Sequence, residues 1–255
     1  MTSVEPTDQS DMSLEQLIEA SRHNFRTVEE MAASVIRTAI ESGIFEPGER
    51  LPQDRLARLF DVSRMPIRSI LRQLESEGLV EMHAHRGATV RSLSPDEISD
   101  LYEMRIMIET FALRKTVATI DDDQINQLTE LSGQLQSIAY EAGWVEARRR
   151  FYRSFYSIGN TPRVVSTIMQ FRAEVTRYTT ELTNIQPHTH EALLDRVRLR
   201  DPDLAAAWLE THLREVAQGL REQVTALQTQ QTTSSITEES GSSRNERGGF
   251  DAQAE

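Results

Sequence analysis

The sequence contains no cysteine. That excludes disulfides, a zinc ribbon and a thiol nucleophile, and it fits a chain held in the cytoplasm. No run approaches the ~20 consecutive apolar residues that a membrane helix needs. The acidic start Met1–Asp11 also lacks a signal peptide's basic and apolar segments, so no membrane partner is expected. Basic residues are in deficit, 28 Lys and Arg against 40 Asp and Glu, for a formal net charge of −12. A chain so acidic does not coat nucleic acid, although a local basic face remains open to it. Catalytic signatures are missing too: there is no Gly-rich phosphate loop, nucleophile elbow or His-Glu-x-x-His. The acidic clusters Asp121-Asp122-Asp123 and Glu238-Glu239 lie at a helix start and in a polar tail, where capping and solvation explain them. An enzyme is not expected.

What is present is 255 residues with 38% hydrophobic content and a mean hydropathy of −0.48, enough for one large domain or two ordinary ones. Residues 1–25 are polar with one short amphipathic patch around Leu14–Ile18, and 229–255 carry Phe250 as their single large apolar residue. Both ends are expected to be disordered, since they bury too little to offset chain ordering. Between them the reading is mostly α. Val28, Met31, Val35, Ala39 and Ile40 recur at helical spacing before Gly43. A short helix over 53–60 follows, then one opened by Ser63 as N-cap, with Ile67, Ile70, Leu71 and Leu74 as its core face. Leu79–His83 and Ala88–Ser92 form the one convincing strand pair, turned at His85-Arg86-Gly87. Ser94-Pro95-Asp96-Glu97 joins a capping box to proline at the first helical position. Six helices are predicted from there to about Leu227, and the boundary between domains falls at Ser92–Ser94.

Helix, helix, helix and a two-stranded ribbon make an N-terminal winged helix-turn-helix over 26–92, followed by an all-helical bundle over 94–228. In the third helix Arg64, Arg68 and Arg72 stand four apart, with Met65 on the same flank. Such spacing describes either a solvated face or a helix that enters a major groove, where arginine meets guanine in bidentate fashion. Arg55 on the preceding helix extends the basic surface. So does the turn His85, Arg86 and Gly87, which suits a minor groove because glycine permits close approach and arginine favours the negative potential there.

Leu51 through Val90 resembles the winged-helix domain of the GntR family of bacterial transcription regulators. The likeness runs through Asp61-Val62-Ser63-Arg64-Met65-Pro66-Ile67-Arg68, Leu74, Glu77-Gly78-Leu79-Val80 and Arg86-Gly87. It implies that Arg55, Arg64 and Arg68 contact an operator and that Arg86-Gly87 is the wing tip. The helical half, opening with Leu101-Tyr102-Glu103-Met104-Arg105 and Glu109, is similar to the FCD effector domain of the FadR subfamily; six helices resemble its VanR-like group. The implied protein is a homodimeric, cytoplasmic, nucleoid-associated regulator, a repressor by default. It would read a palindromic duplex operator under control of a small organic acid. An effector-independent or architectural DNA-binding protein is the alternative.

In many FCD domains an Asp and a His four residues apart join two further His to hold a divalent metal. Here His190 and His212 stand at the matching spacing to Asp201, but Tyr152 and Arg148 occupy the other two positions. A cation at Arg148 repels a metal. The site is therefore expected to be incomplete, with Arg148 meeting an anionic effector directly beside Arg105, Tyr152, His190 and His212.

Overall fold

The computed structural model describes residues 8–22, 25–84, 87–138, 143–181 and 189–245. The first half comprises α1 (Asp8–Ser21), α2 (Val28–Glu41), β1 (Arg50–Leu51), α3 (Gln53–Leu59), α4 (Arg64–Ser76), β2 (Val80–His83) and β3 (Gly87–Val90). Thr27 caps α2 by accepting from the Glu30 amide at 3.1 Å, and Gly43 stops that helix at φ +81°. The apolar stripe of α2 packs on Ile67, Ile70, Leu71 and Leu74 of α4, and Leu79, Val80, Ala88 and Val90 close the core from the sheet side.

Two features depart from the sequence reading here. Within residues 1–25, α1 forms, because Leu14 and Ile18 lie one turn apart and bury to 0% and 6% exposure against the core. Each such burial stabilises by about 1.5–3 kcal/mol, enough to order a short amphipathic helix that has a surface to land on. The wing hairpin also gains a third strand. β1 pairs antiparallel with β3, Arg50 opposite Thr89 and Leu51 opposite Ala88, in the order β1-β3-β2. Two residues are too few to show alternation, so nothing in the local pattern announces this strand.

Among the described residues the second half comprises six helices: α5 (Pro95–Thr119), α6 (Asp122–Ser137), α7 (Trp144–Ser157), α8 (Pro162–Glu181), α9 (Thr189–Arg198) and α10 (Pro202–Asn245). Reciprocal capping boxes start α5 at Ser94/Glu97 and α6 at Asp121/Gln124. α10 lies along α5, and the bundle core runs from Leu93 to Val224. Gly159 lets the turn after α7 close onto α5: a Cβ there would stand 2.8 Å from the Lys115 Cβ and 3.1 Å from the Thr116 nitrogen. α10 continues to Asn245, past the point where a disordered tail from 229 is predicted; no proline interrupts the sequence after Pro202.

The halves meet along α2, α7 and α8. The Leu93 amide donates to the Tyr178 hydroxyl at 2.8 Å, and Arg91 pairs with Glu174 at 3.3 Å. Arg149 of α7 pairs with Glu41 at the end of α2.

Candidate functional site

α4 separates its two faces cleanly. Ile67, Ile70, Leu71 and Leu74 are buried, while Arg64, Met65, Arg68, Ser69 and Arg72 are exposed, Met65 at 72%. Arg64 pairs with Asp54 of α3, but both side chains are largely solvated, so the pair is weak and open to exchange. Arg68 and Arg72 make no ion pair among the described residues. Ser63 occupies the N-cap position of α4, yet its hydroxyl makes no capping hydrogen bond and is exposed. Gly87 opens β3 at φ +84° with open space where a Cβ would stand. His85 and Arg86 lie outside the described residues.

Arg55 departs from the expected set. It is 9% exposed, 3.8 Å from the Glu49 carboxylate, with its guanidinium 6.0 Å from the centre of the Phe45 ring. An arginine held by a neighbouring acid and an aromatic face is part of the domain's interior rather than of its open basic edge.

The second constellation lies inside the bundle. Glu109 of α5 is fully buried and accepts from Arg105 Nε at 2.8 Å, Arg172 Nη1 at 2.8 Å and the Tyr156 hydroxyl at 2.7 Å. Burial alone would raise its pKa; the two guanidinium charges and the Tyr156 and Arg105 hydrogen bonds overcome that and hold it down to about 2. The Arg172 guanidinium lies 3.1 Å from the centre of the Tyr152 ring, and that of Arg105 lies 4.4 Å from Tyr102. Arg148 is different. It stands 5.4 Å from the Trp144 ring and 5.5 Å from Tyr152, with one long hydrogen bond of 3.5 Å to Thr176 and no ion pair among the described residues. Burial, reinforced by the charges of Arg172 and Arg105, pushes its pKa down to about 10.

Arg105, Arg148, Arg172, Tyr152, Tyr102 and His212 line one cavity of about 20 Å³, room for about one water molecule. Arg105, Arg148, Tyr152 and His212 of the expected effector set therefore come together. His190 does not line this cavity; it sits behind, edge-on to Phe151 with ring centres 4.8 Å apart and 5.2 Å from Tyr152. Sequence reading missed Arg172 and the counter-charge role of Glu109. The signal for Arg172 was present, as it interrupts the apolar stripe Val165, Ile168, Met169 and Val175 of α8 with an arginine that is only 5% exposed.

The donor set does not fit a divalent metal. His212 lies flat against Trp208 (5.2 Å, 1°), and burial with the Arg105 and Arg172 charges takes its pKa down to about 4. His190 Nε2 is buried without a hydrogen-bond partner, and burial with the charge of Arg148 lowers its pKa well below the ordinary histidine value. Both imidazoles are thus neutral, as a metal requires. However, no three His, Asp or Glu side chains among the described residues converge, and the cavity already holds three guanidinium groups. A metal ion there would meet only repulsion from them.

Comparison with known proteins gives two family matches. Residues 28–90 match the model for bacterial regulatory proteins of the gntR family, and residues 100–215 match the FCD domain. The chain is 35% identical over 101 residues to an HTH-type transcriptional regulator, YdhC, of Bacillus subtilis, covering 40% of this chain and 44% of that protein's length. It is 27% identical over 219 residues to the HTH-type transcriptional repressor NanR of Cronobacter sakazakii, covering 75% of this chain and 84% of NanR. Among solved structures, E. coli McbR/YncC superposes with a TM-score of 0.66 at 19% identity, over 78% of this chain and 99% of that one, a likeness of fold.

Proposed function

Because the chain belongs to the gntR family of bacterial regulatory proteins and carries an FCD domain, we propose that it is a ligand-responsive transcription regulator. It binds duplex DNA through the arginine edge of α4, and a small organic acid held among the bundle arginines sets its affinity for that DNA. The observation that carries the DNA reading is the exposure of Arg64, Arg68 and Arg72 on one edge of a helix whose opposite face is core. A helix so arranged enters a major groove with its guanidinium groups level with base edges. Ser63, Met65 and the Gly87 turn belong to the same proposed contact surface. By occupying a promoter such a protein represses.

The regulator works as a homodimer on a palindromic operator, since two-fold protein symmetry demands two-fold DNA symmetry. Its dimer surface is the apolar stripe on α5 and α10, where Met104, Met107, Phe111 and Leu204 are 39%, 64%, 47% and 47% exposed. An aligned patch of this kind on a soluble bundle marks an interface. An effector-independent architectural role is less economical, because a DNA-binding device has no use for guanidinium groups buried at the centre of a separate bundle.

The test is to select an operator from random duplexes with the full chain, then compare Arg68→Ala with the parent at fixed salt. Loss of one bidentate base contact weakens specific binding by about 1–3 kcal/mol and relaxes preference at one base pair per half-site. Unchanged affinity and preference at the same salt would sink the groove assignment.

A further inference from the structure

Arg148 and Arg149 are consecutive on α7 and face different parts of the molecule. Arg148 lines the bundle cavity, while Arg149 reaches out of the bundle to Glu41, the last residue of α2 in the winged-helix half. Glu41 is only 1% exposed, and its Oε1 makes no hydrogen bond. An acid at a helix C-terminus opposes the helix dipole, and burial, only partly offset by Arg149, raises its pKa. This contact, one of several between the halves, is therefore held at a cost, the condition of a clamp that can be released.

A second cavity of about 20 Å³ lies at this seam, lined by Glu41 and Arg149 on one side and by Arg148, Tyr152, Arg172 and Thr176 on the other. Arg148, Tyr152 and Arg172 line both cavities, so one wall separates the anion site from the domain seam. In the bundle, the three guanidinium groups are matched by the single carboxylate of Glu109, which pairs with Arg105 and Arg172 but not Arg148; two positive charges are left without a counter-ion among the described residues. That count matches a dianion. Neither cavity is large enough to admit even inorganic phosphate as it stands. Entry must part Arg148, Tyr152 and Arg172, and α7 carries Arg149 with it. Close-packed interiors shift between discrete arrangements rather than stretching.

We infer that a small dianion bound on Arg148 and the Glu41–Arg149 clamp are mutually exclusive, so that filling the bundle cavity unlocks the winged-helix half. This rests on the anion-site reading above and adds the ligand's charge and the contact that transmits its binding. By linkage, whatever opens the clamp must tighten the dianion, and by the same factor.

The experiment is calorimetric titration of the full chain with inorganic phosphate and with succinate, at constant ionic strength, against Glu41→Gln, Arg149→Gln and Arg148→Gln. Both clamp variants are expected to bind the dianions more tightly than the parent, by about fivefold or more, and Arg148→Gln to lose binding. Arg149→Gln is decisive because simple Coulomb attraction predicts the opposite sign: removing a cation weakens an anion site, while opening a clamp strengthens it. Tighter binding by Glu41→Gln with weaker binding by Arg149→Gln overturns the clamp, as does no change in either. Glu41→Asp, which keeps the charge but shortens its reach, gives an intermediate gain and covers the case in which the glutamine variant fails to fold. If neither dianion binds parent or variants, the anion-site reading itself falls.

Discussion

Replacing Glu109 by glutamine tests the electrostatic design of the bundle most directly. The substitution keeps size and shape but removes the carboxylate that accepts from Arg105, Arg172 and Tyr156. Breaking a buried pair by removing one partner costs about 3–5 kcal/mol, because the remaining charge stays buried and unpaired. The carboxyl's own titration gives a similar figure. A native value of about 2, against about 4.3 in an unfolded chain, corresponds to about 3 kcal/mol of stability at neutral pH. The sign follows from the depression: the contribution is complete above the unfolded value and is lost as pH falls from about 4 towards 2. Urea unfolding of the bundle should therefore place Glu109→Gln about 3–5 kcal/mol below the parent near pH 7. The gap should narrow as the pH falls below about 4, where the parent's carboxyl protonates and comes to resemble the amide. Phosphate should recover part of the loss by supplying the missing negative charge. A variant within about 1 kcal/mol of the parent at neutral pH, or a gap that persists unchanged into acid, would refute the claim that this carboxylate neutralises the arginines.

Three further outcomes are expected. Gly159→Ala should lower the bundle's stability by about 1–3 kcal/mol in thermal melts, because the added methyl meets the Lys115 Cβ at 2.8 Å and the Thr116 backbone at 3.1 Å; an unchanged melt would show that α5 yields easily. Met107→Glu, at the most exposed point of the α5 stripe, should convert dimer to monomer in sedimentation at micromolar protein and lengthen the salt-sensitive tail of operator binding; a persistent dimer places the interface elsewhere. Zinc or nickel added to chelator-treated protein should give no stoichiometric uptake by elemental analysis, and one tightly held metal per chain would contradict the donor-set argument.

The elements most legible in the sequence were those specified by local chemistry. The Ser94 capping box with Pro95, the acidic helix start at Asp121 and the two-faced pattern of α4 each arise within a few residues of chain, and each is where its signal placed it. The failures share a different cause. α1 depends on a landing surface contributed by residues beyond it, and β1 depends on a partner some 40 positions away, Thr89 for Arg50. Ser63 shows that a capping residue type marks a position without guaranteeing the hydrogen bond. For the bundle cavity, Arg148 followed from alignment to a metal site and Arg105 from the opening of the helical half, whereas Arg172 had to be noticed as a charge in an apolar stripe. Its partner Glu109 is 63 residues away, a separation no periodicity encodes.

Stability does not account for the arginine cluster. A buried ion pair can usually be replaced by apolar side chains of the same volume at no loss, often at a gain. A helical bundle with Phe151, Phe155, Leu193 and Leu213 already in its core has no structural need for three guanidinium groups among them. Glu109 pairs with Arg105 and Arg172, which share its single negative charge, and leaves Arg148 facing aromatic rings and a distant hydroxyl. A fold that carries an uncompensated cation beside its core bears a standing cost that the proposed anion would remove. The affinity for that anion therefore grows with the same penalty that destabilises the empty bundle. Because Arg149, the next residue on α7, pairs with Glu41 of the winged-helix half, the proposed clamp would carry relief of that penalty to the domain seam. Stability of the empty bundle and its response to ligand are thus opposed by construction: substitutions of Arg148 that stabilise the free protein should be the ones that abolish its regulation.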